Sequence, residues 1–98
     1  MTIAYPLRIF FDCATAHLSP ASRDHLGDQV QRSASRPESW IAQTPYGWFV
    51  WAEEEPGEDV PSDLAAIMRH ARRHGAEYIL FDADAPEAPD LPVFDWSD

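Results

Sequence analysis

Leu64, Ile67, Met68 and Ala71 stand at i, i+3, i+4 and i+7, which places four apolar side chains on one face of a helix. The spacing predicts a helix from Asp63 to His74 with Ser62 as its cap. Arg69, Arg72, Arg73 and the two histidines His70 and His74 crowd its last turns, where the helix dipole favours cations, and Gly75 ends it. A helix with one apolar stripe must bury that stripe against another layer. The rest of the chain has to supply a sheet or a second helix.

It supplies both. Leu7 to Cys13 alternates Leu7, Ile9, Phe11 and Cys13 with Arg8, Phe10 and Asp12, the period of a strand with one drier face. Ser19-Pro20 reads as an N-cap followed by the first helical position, opening a helix to about Ser33 with Leu26 and Val30 inward. Trp40–Thr44 and Trp48–Glu53 are strand-like and flank a turn at Pro45-Tyr46-Gly47. Glu77–Asp82 is a last strand. The order β-α-β-β-α-β predicts an α+β ferredoxin-like sandwich, a four-stranded antiparallel sheet with two helices on one face and an extended C-terminal tail. The expected core is Leu7, Ile9, Phe11, Val30, Phe49 or Val50, Ile67, Met68 and Ile79. Ninety-eight residues suit a single domain, 1–98. Within it, Pro86, Pro89 and Pro92 make the acidic tail 85–98 unfit for a helix, and Leu91, Val93, Phe94 and Trp96 give it apolar material to dock.

Charge narrows the function. The net charge is −10, and all seven basic residues are arginine. Without lysine there is no P-loop and no Schiff-base chemistry. The acidity argues against direct nucleic-acid or anionic-membrane binding. The imbalance is local: residues 1–52 carry four arginines and four acids, whereas residues 53–98 carry three arginines and thirteen acids. A single cysteine makes no internal disulfide. No apolar run approaches membrane-spanning length, and the start lacks the features of a signal peptide, so a cytoplasmic location in a bacterial host is expected.

Thr15-Ala16-His17-Leu18-Ser19-Pro20, Tyr46-Gly47-Trp48-Phe49-Val50, Tyr78-Ile79-Leu80-Phe81-Asp82 and the closing Leu91-Pro92-Val93-Phe94-Asp95-Trp96 together resemble a family of small bacterial proteins known only as a domain of unknown function. Members are often met on plasmids and other mobile elements. The likeness runs from about Arg8 to Trp96 and brings no catalytic residues with it. It implies a genomic setting in which small acidic proteins often act against host defence systems.

Four arrangements suggest chemistry, and each has a plainer explanation. Asp82 and Asp84 after an apolar strand resemble the Asp-x-Asp of phosphotransferases, but little chain follows them and no lysine exists to neutralise phosphate. His70 and His74 have zinc-binding spacing, yet three arginines stand nearby and the helix dipole accounts for both. Cys13 with His17 and Asp12 invites a thiol nucleophile, but alternation puts Cys13 on the dry face, where a buried thiol is inert. His17 then orders the turn into the first helix. Gly47-Trp48-Phe49-Val50-Trp51 echoes the aromatic strand of RNA-recognition domains, with Tyr46 where a basic residue belongs.

The acids remain. Glu53, Glu54, Glu55, Glu58 and Asp59 put five carboxylates into seven residues. An extended loop rises about 3.3 Å per residue, close to the roughly 3.4 Å phosphate spacing of one DNA strand. The expected function is a non-enzymatic inhibitor, anti-CRISPR or anti-restriction, that presents a DNA-mimicking surface to a host defence complex with a basic groove. Its partner-binding residues are those five acids with Asp82, Asp84, Trp51 and Trp96. No catalytic residue, metal or cofactor is expected. The alternatives are an accessory or regulatory binding module whose acidity serves solubility, and a metal-dependent hydrolase using Asp82 and Asp84.

Overall fold

The computed structural model describes residues 7–33 and 41–94. Its elements are β1 (Phe10–Ala14), a short 3-10 turn (Thr15–His17), α1 (Pro20–Ser33), β2 (Ile41–Thr44), β3 (Gly47–Trp51), α2 (Ser62–Arg73) and β4 (Tyr78–Asp82). The β-α-β-β-α-β order and the α+β class match the sequence pattern. Trp40 and Trp96 lie outside the described residues.

The sheet departs from the antiparallel expectation. Its four strands run in the order β1-β4-β3-β2, and β1 lies parallel to β4, from Phe10↔Tyr78 to Ala14↔Asp82. The β2–β3 and β3–β4 pairs are antiparallel, so the sheet is mixed. Composition explains the placement. Tyr78-Ile79-Leu80-Phe81 is a continuous apolar run, which suits an interior strand covered on both faces. β1 carries the exposed Asp12 and takes an edge, where a charged side chain discourages further pairing.

Pleating sorts the strand residues into two faces. Phe11 and Cys13, Ile79 and Phe81, Val50 and Trp48, and Ile41 lie in register on the face toward the helices. Cys13, Val50, Ile79 and Phe81 are buried with Leu26 of α1 and Leu64, Ile67, Met68 and Ala71 of α2, so the predicted stripe is the helical side of the core. Burying a large aliphatic side chain such as Leu64 or Ile67 contributes about 1.5–3 kcal/mol. Phe11 is half-buried against this cluster. Leu7 and Ile9 are exposed instead, at 72% and 61%, because β1 begins only at Phe10. Val30 is half-buried, so Leu26 carries the thin apolar face of α1.

The helix ends show where local signals acted. Ser19 caps α1 as expected, its Oγ accepting the Ser22 N–H at 3.2 Å. Ser62 does not cap α2. Pro61 holds the cap position without a side-chain bond, and Ser62 is the first helical residue. Gly75 ends α2 in the left-handed region, with φ of 87°. At the β2–β3 turn, Gly47 is required by a close approach, since a Cβ there would stand 1.8 Å from the Phe81 carbonyl oxygen.

Candidate functional site: the acidic crossing and its clamps

β3 ends beside the start of β4, where Trp51 pairs with Tyr78, yet α2 begins near the other end of the sheet. Residues 52–61 bridge that gap. The crossing is anchored at its root by Arg72, whose Nε–H donates to the Ala52 carbonyl at 2.7 Å. The Arg72 guanidinium sits 4.5 Å from the Trp51 ring centroid and reaches Glu54 at 3.5 Å. Sequence reasoning assigned Arg72 to the helix dipole alone. Its grip on the loop depends on a tertiary approach across twenty residues, for which the sequence carries no signal.

At the far end the anchor is Asp63. Its carboxylate accepts the Ser19 N–H at 2.9 Å, the Ser19 hydroxyl at 2.9 Å and the Ser22 hydroxyl at 2.7 Å. This clasp joins the first turns of α1 and α2. Burial alone would raise the Asp63 pKa, but the hydrogen bonds from Ser19 and Ser22 outweigh it and hold the carboxyl below its ordinary value.

Between these anchors Glu53, Glu54, Glu55, Glu58 and Asp59 are all exposed. Among the described residues, Glu54 is the member of the five that reaches a cation. The extended run expected from the sequence is not formed. The chain bends at Glu54-Glu55 and closes a turn in which the Val60 N–H donates to the Gly57 carbonyl at 3.1 Å. Pro56 and Gly57 in mid-loop favour such a turn. The backbone that carries the carboxylates is therefore bent rather than one extended run. Glu53, Glu55 and Asp59 line a groove of about 550 Å³ together with the apolar Ile41, Val60 and Met68 and with His25 and Gln29 of α1.

Of the other predicted site residues, Trp51 lines this same groove, whereas Asp82 and Asp84 are not gathered here. Asp82 pairs with Gly47, at the opposite end of the sheet from Glu53 and Glu54, and its side chain belongs to the face turned away from the helices. Its Oδ1 accepts the Asp84 N–H at 2.8 Å, an Asx-type turn that ends the strand. Cys13 is buried at 1% exposure; burial first, and then the Asp12 charge, push its thiol up to about 12, where the thiolate is negligible at neutral pH. His70 and His74 contact ring to ring, 4.5 Å between centroids, and His70 stands 3.7 Å from Asp90. Among the described residues no group of three or more His, Cys, Asp or Glu is placed to hold a metal. None of the helices there is long and apolar enough to cross a membrane.

His17 is the residue that sequence reading most undervalued. It is fully buried, and both ring nitrogens bond to the C-terminal tail. Nδ1–H donates to the Pro92 carbonyl at 2.8 Å, and Nε2 accepts the Ala88 N–H at 2.9 Å. Those partners define the neutral Nδ1–H tautomer. Nearby, the Phe94 N–H donates to the Ala16 carbonyl at 2.8 Å, and Leu91 packs on the core. Phe94 is half-buried, whereas Val93 is 54% exposed, contrary to its expected docking.

A family model described as the C-terminal domain of a family of unknown function (DUF5983) matches residues 10–96. The chain belongs to the DUF5983 family. That span takes in all four strands, both helices, the acidic crossing and the His17-bound tail of this DUF5983 domain. No curated protein and no solved structure matches it.

Proposed function

We propose that this DUF5983 domain is a protein-binding module, and an inhibitor in its most specific form. It would set the acidic crossing against a basic surface of its target. The observation that carries the reading is the arrangement of Glu53, Glu55 and Asp59 around a groove with Ile41, Val60 and Met68 in its lining. Acids around an apolar recess suit an arginine or lysine side chain, whose stem packs on apolar surface while its head meets carboxylate. The bend at Glu54-Glu55 favours this charge complementarity over imitation of a phosphate ladder. The target proposed is a host defence complex with a nucleic-acid-binding groove, a CRISPR effector or a restriction enzyme. The mobile-element setting implied by the family resemblance supports that choice. No catalytic step is assigned to the domain.

The test is binding of wild type and of Glu53→Gln/Glu54→Gln/Glu55→Gln to such a complex at about 50 and 300 mM salt, with nuclease inhibition as a second readout. Screening shortens the reach of exposed charges between these conditions. Wild-type affinity should fall with salt. At low salt the triple variant should bind about tenfold more weakly, with an unchanged or higher melting temperature. Equal affinities of the two proteins at both salt concentrations would refute the proposal.

A further inference from the structure

The C-terminal tail has few hold-points. After β4 it has no helix or strand up to Phe94, and proline at positions 86, 89 and 92 limits the hydrogen bonds its backbone can donate. Past Ala83, whose N–H donates to the Tyr46 carbonyl at 3.0 Å, its described contacts with the body include the two His17 bonds, Phe94 N–H to Ala16, the Leu91 packing, and Asp90 beside His70. Two of these are made by one buried imidazole, and they require different things of it. Pro92 needs a donor at Nδ1, which neutral and protonated rings both supply. Ala88 needs an acceptor at Nε2, which only the neutral ring supplies. Protonation would set an N–H against the Ala88 N–H inside a fully buried site.

We infer that His17 is an acid-sensitive latch: neutral, it straps residues 88–94 across the turn between β1 and α1; protonated, it lets the strap go while the sheet and helices stay folded. Histidine is the side chain whose ordinary charge change falls between pH 5 and 8. The direction follows from hydrogen-bond chemistry. The strap is held at neutral pH and freed in acid.

The surrounding charges act on this latch as follows. On the tail itself, Glu87 and Asp90 are exposed to solvent. On α2, Asp63 is committed to Ser19 and Ser22. Asp12 stands in the middle of β1, and Asp82 ends β4 with Asp84 just beyond it, Asp82 being engaged by the Asp84 N–H. The described hydrogen bonds and ion pairs join none of these carboxylates to the His17 ring, so none stands ready to receive its second proton. His70 opposes the latch, because its protonated form would attract Asp90. That contact is 3.7 Å long and its carboxylate is 62% exposed, so solvent screens it, and the two direct bonds of His17 decide the outcome. With the strap in place, a hollow of about 500 Å³ lies between Ala14, Thr15 and Ala16 on one side and Glu87, Val93 and Phe94 of the tail on the other, so release would remove one of its walls.

The experiment is amide hydrogen exchange on the full chain at pH 7.5 and 5.0, corrected for intrinsic exchange rates, with three proteins compared. In the wild type, protection of the Ala88 and Phe94 amides should fall at least tenfold on acidification, while the Ile79 and Phe81 amides keep theirs. His17→Gln offers a donor and an acceptor without titrating, so strap protection in it should not depend on pH. His70→Gln should behave like the wild type. Wild-type strap protection that is equal at both pH values would overturn the latch. So would an equal loss in His17→Gln, loss of the wild-type pH dependence in His70→Gln, or loss of core protection in parallel with the strap. If His17→Gln proves unfolded, the wild-type comparison of strap with core amides still decides the matter.

Discussion

Replacing Asp63 should unfasten the two helices from one another. In Asp63→Ala the Ser22 hydroxyl, fully buried, loses its carboxylate partner, a desolvated polar group costing about 1–3 kcal/mol. The two Ser19 donors are only part-buried and regain water, so they add less. Loss of a carboxylate from the first turn of α2 adds about 0.3–1 kcal/mol through the helix dipole. The sum is about 2–4 kcal/mol, a large share of the roughly 5–15 kcal/mol that holds a typical domain together. Urea unfolding followed by tryptophan fluorescence reads this directly. With a slope near 1 kcal/mol/M for a small chain, the midpoint should drop by about 2 M or more. Asp63→Asn keeps one acceptor oxygen and should lose about half as much.

The pH dependence has a definite sign. The folded Asp63 pKa lies below the ordinary carboxylate value of 3.8, so the folded state releases this proton more readily than the unfolded chain. The stabilisation from the charge is therefore complete above that value and is lost as pH falls through the folded pKa. The stability gap between wild type and Asp63→Asn should stay constant from neutral pH down to about 5 and narrow as pH drops below about 4. An unchanged urea midpoint for Asp63→Ala, or a gap that widens in acid, would refute the clasp.

Two further outcomes are expected. His17→Ala removes both tail bonds and leaves a cavity, so it should cost about 2–4 kcal/mol and abolish protection of the Ala88 amide; native-like protection there would show the tail held by other contacts. Cys13, buried and with its thiol near 12, should react with iodoacetamide at pH 8 at least tenfold more slowly in the native protein than in urea, and comparable rates would contradict its burial.

Much of this architecture was written locally. The α2 stripe, the Ser19-Pro20 opening of α1, the stop at Gly75 and the β2–β3 turn all depend on neighbours within a few residues, so the sequence alone located them. The burial of Cys13 followed equally from alternation along β1. Alternation says which residues share a face; it is silent on which strand lies beside which. That β1 pairs with β4, and in parallel, was settled by packing the most apolar strand in the interior, and this made the sheet mixed. The acidic loop was visible as composition, but its shape was not. The crossing had to carry the chain from one end of the sheet to the other, and its bend turned a run of carboxylates into the border of a groove. His17, Asp63 and Arg72 were least legible of all. Each works through partners that are distant in the chain, at separations of 75, 44 and 20 residues for Pro92, Ser19 and Ala52. Periodicity and short motifs carry no information at such separations; only the folded chain brings those donors and acceptors within 3 Å.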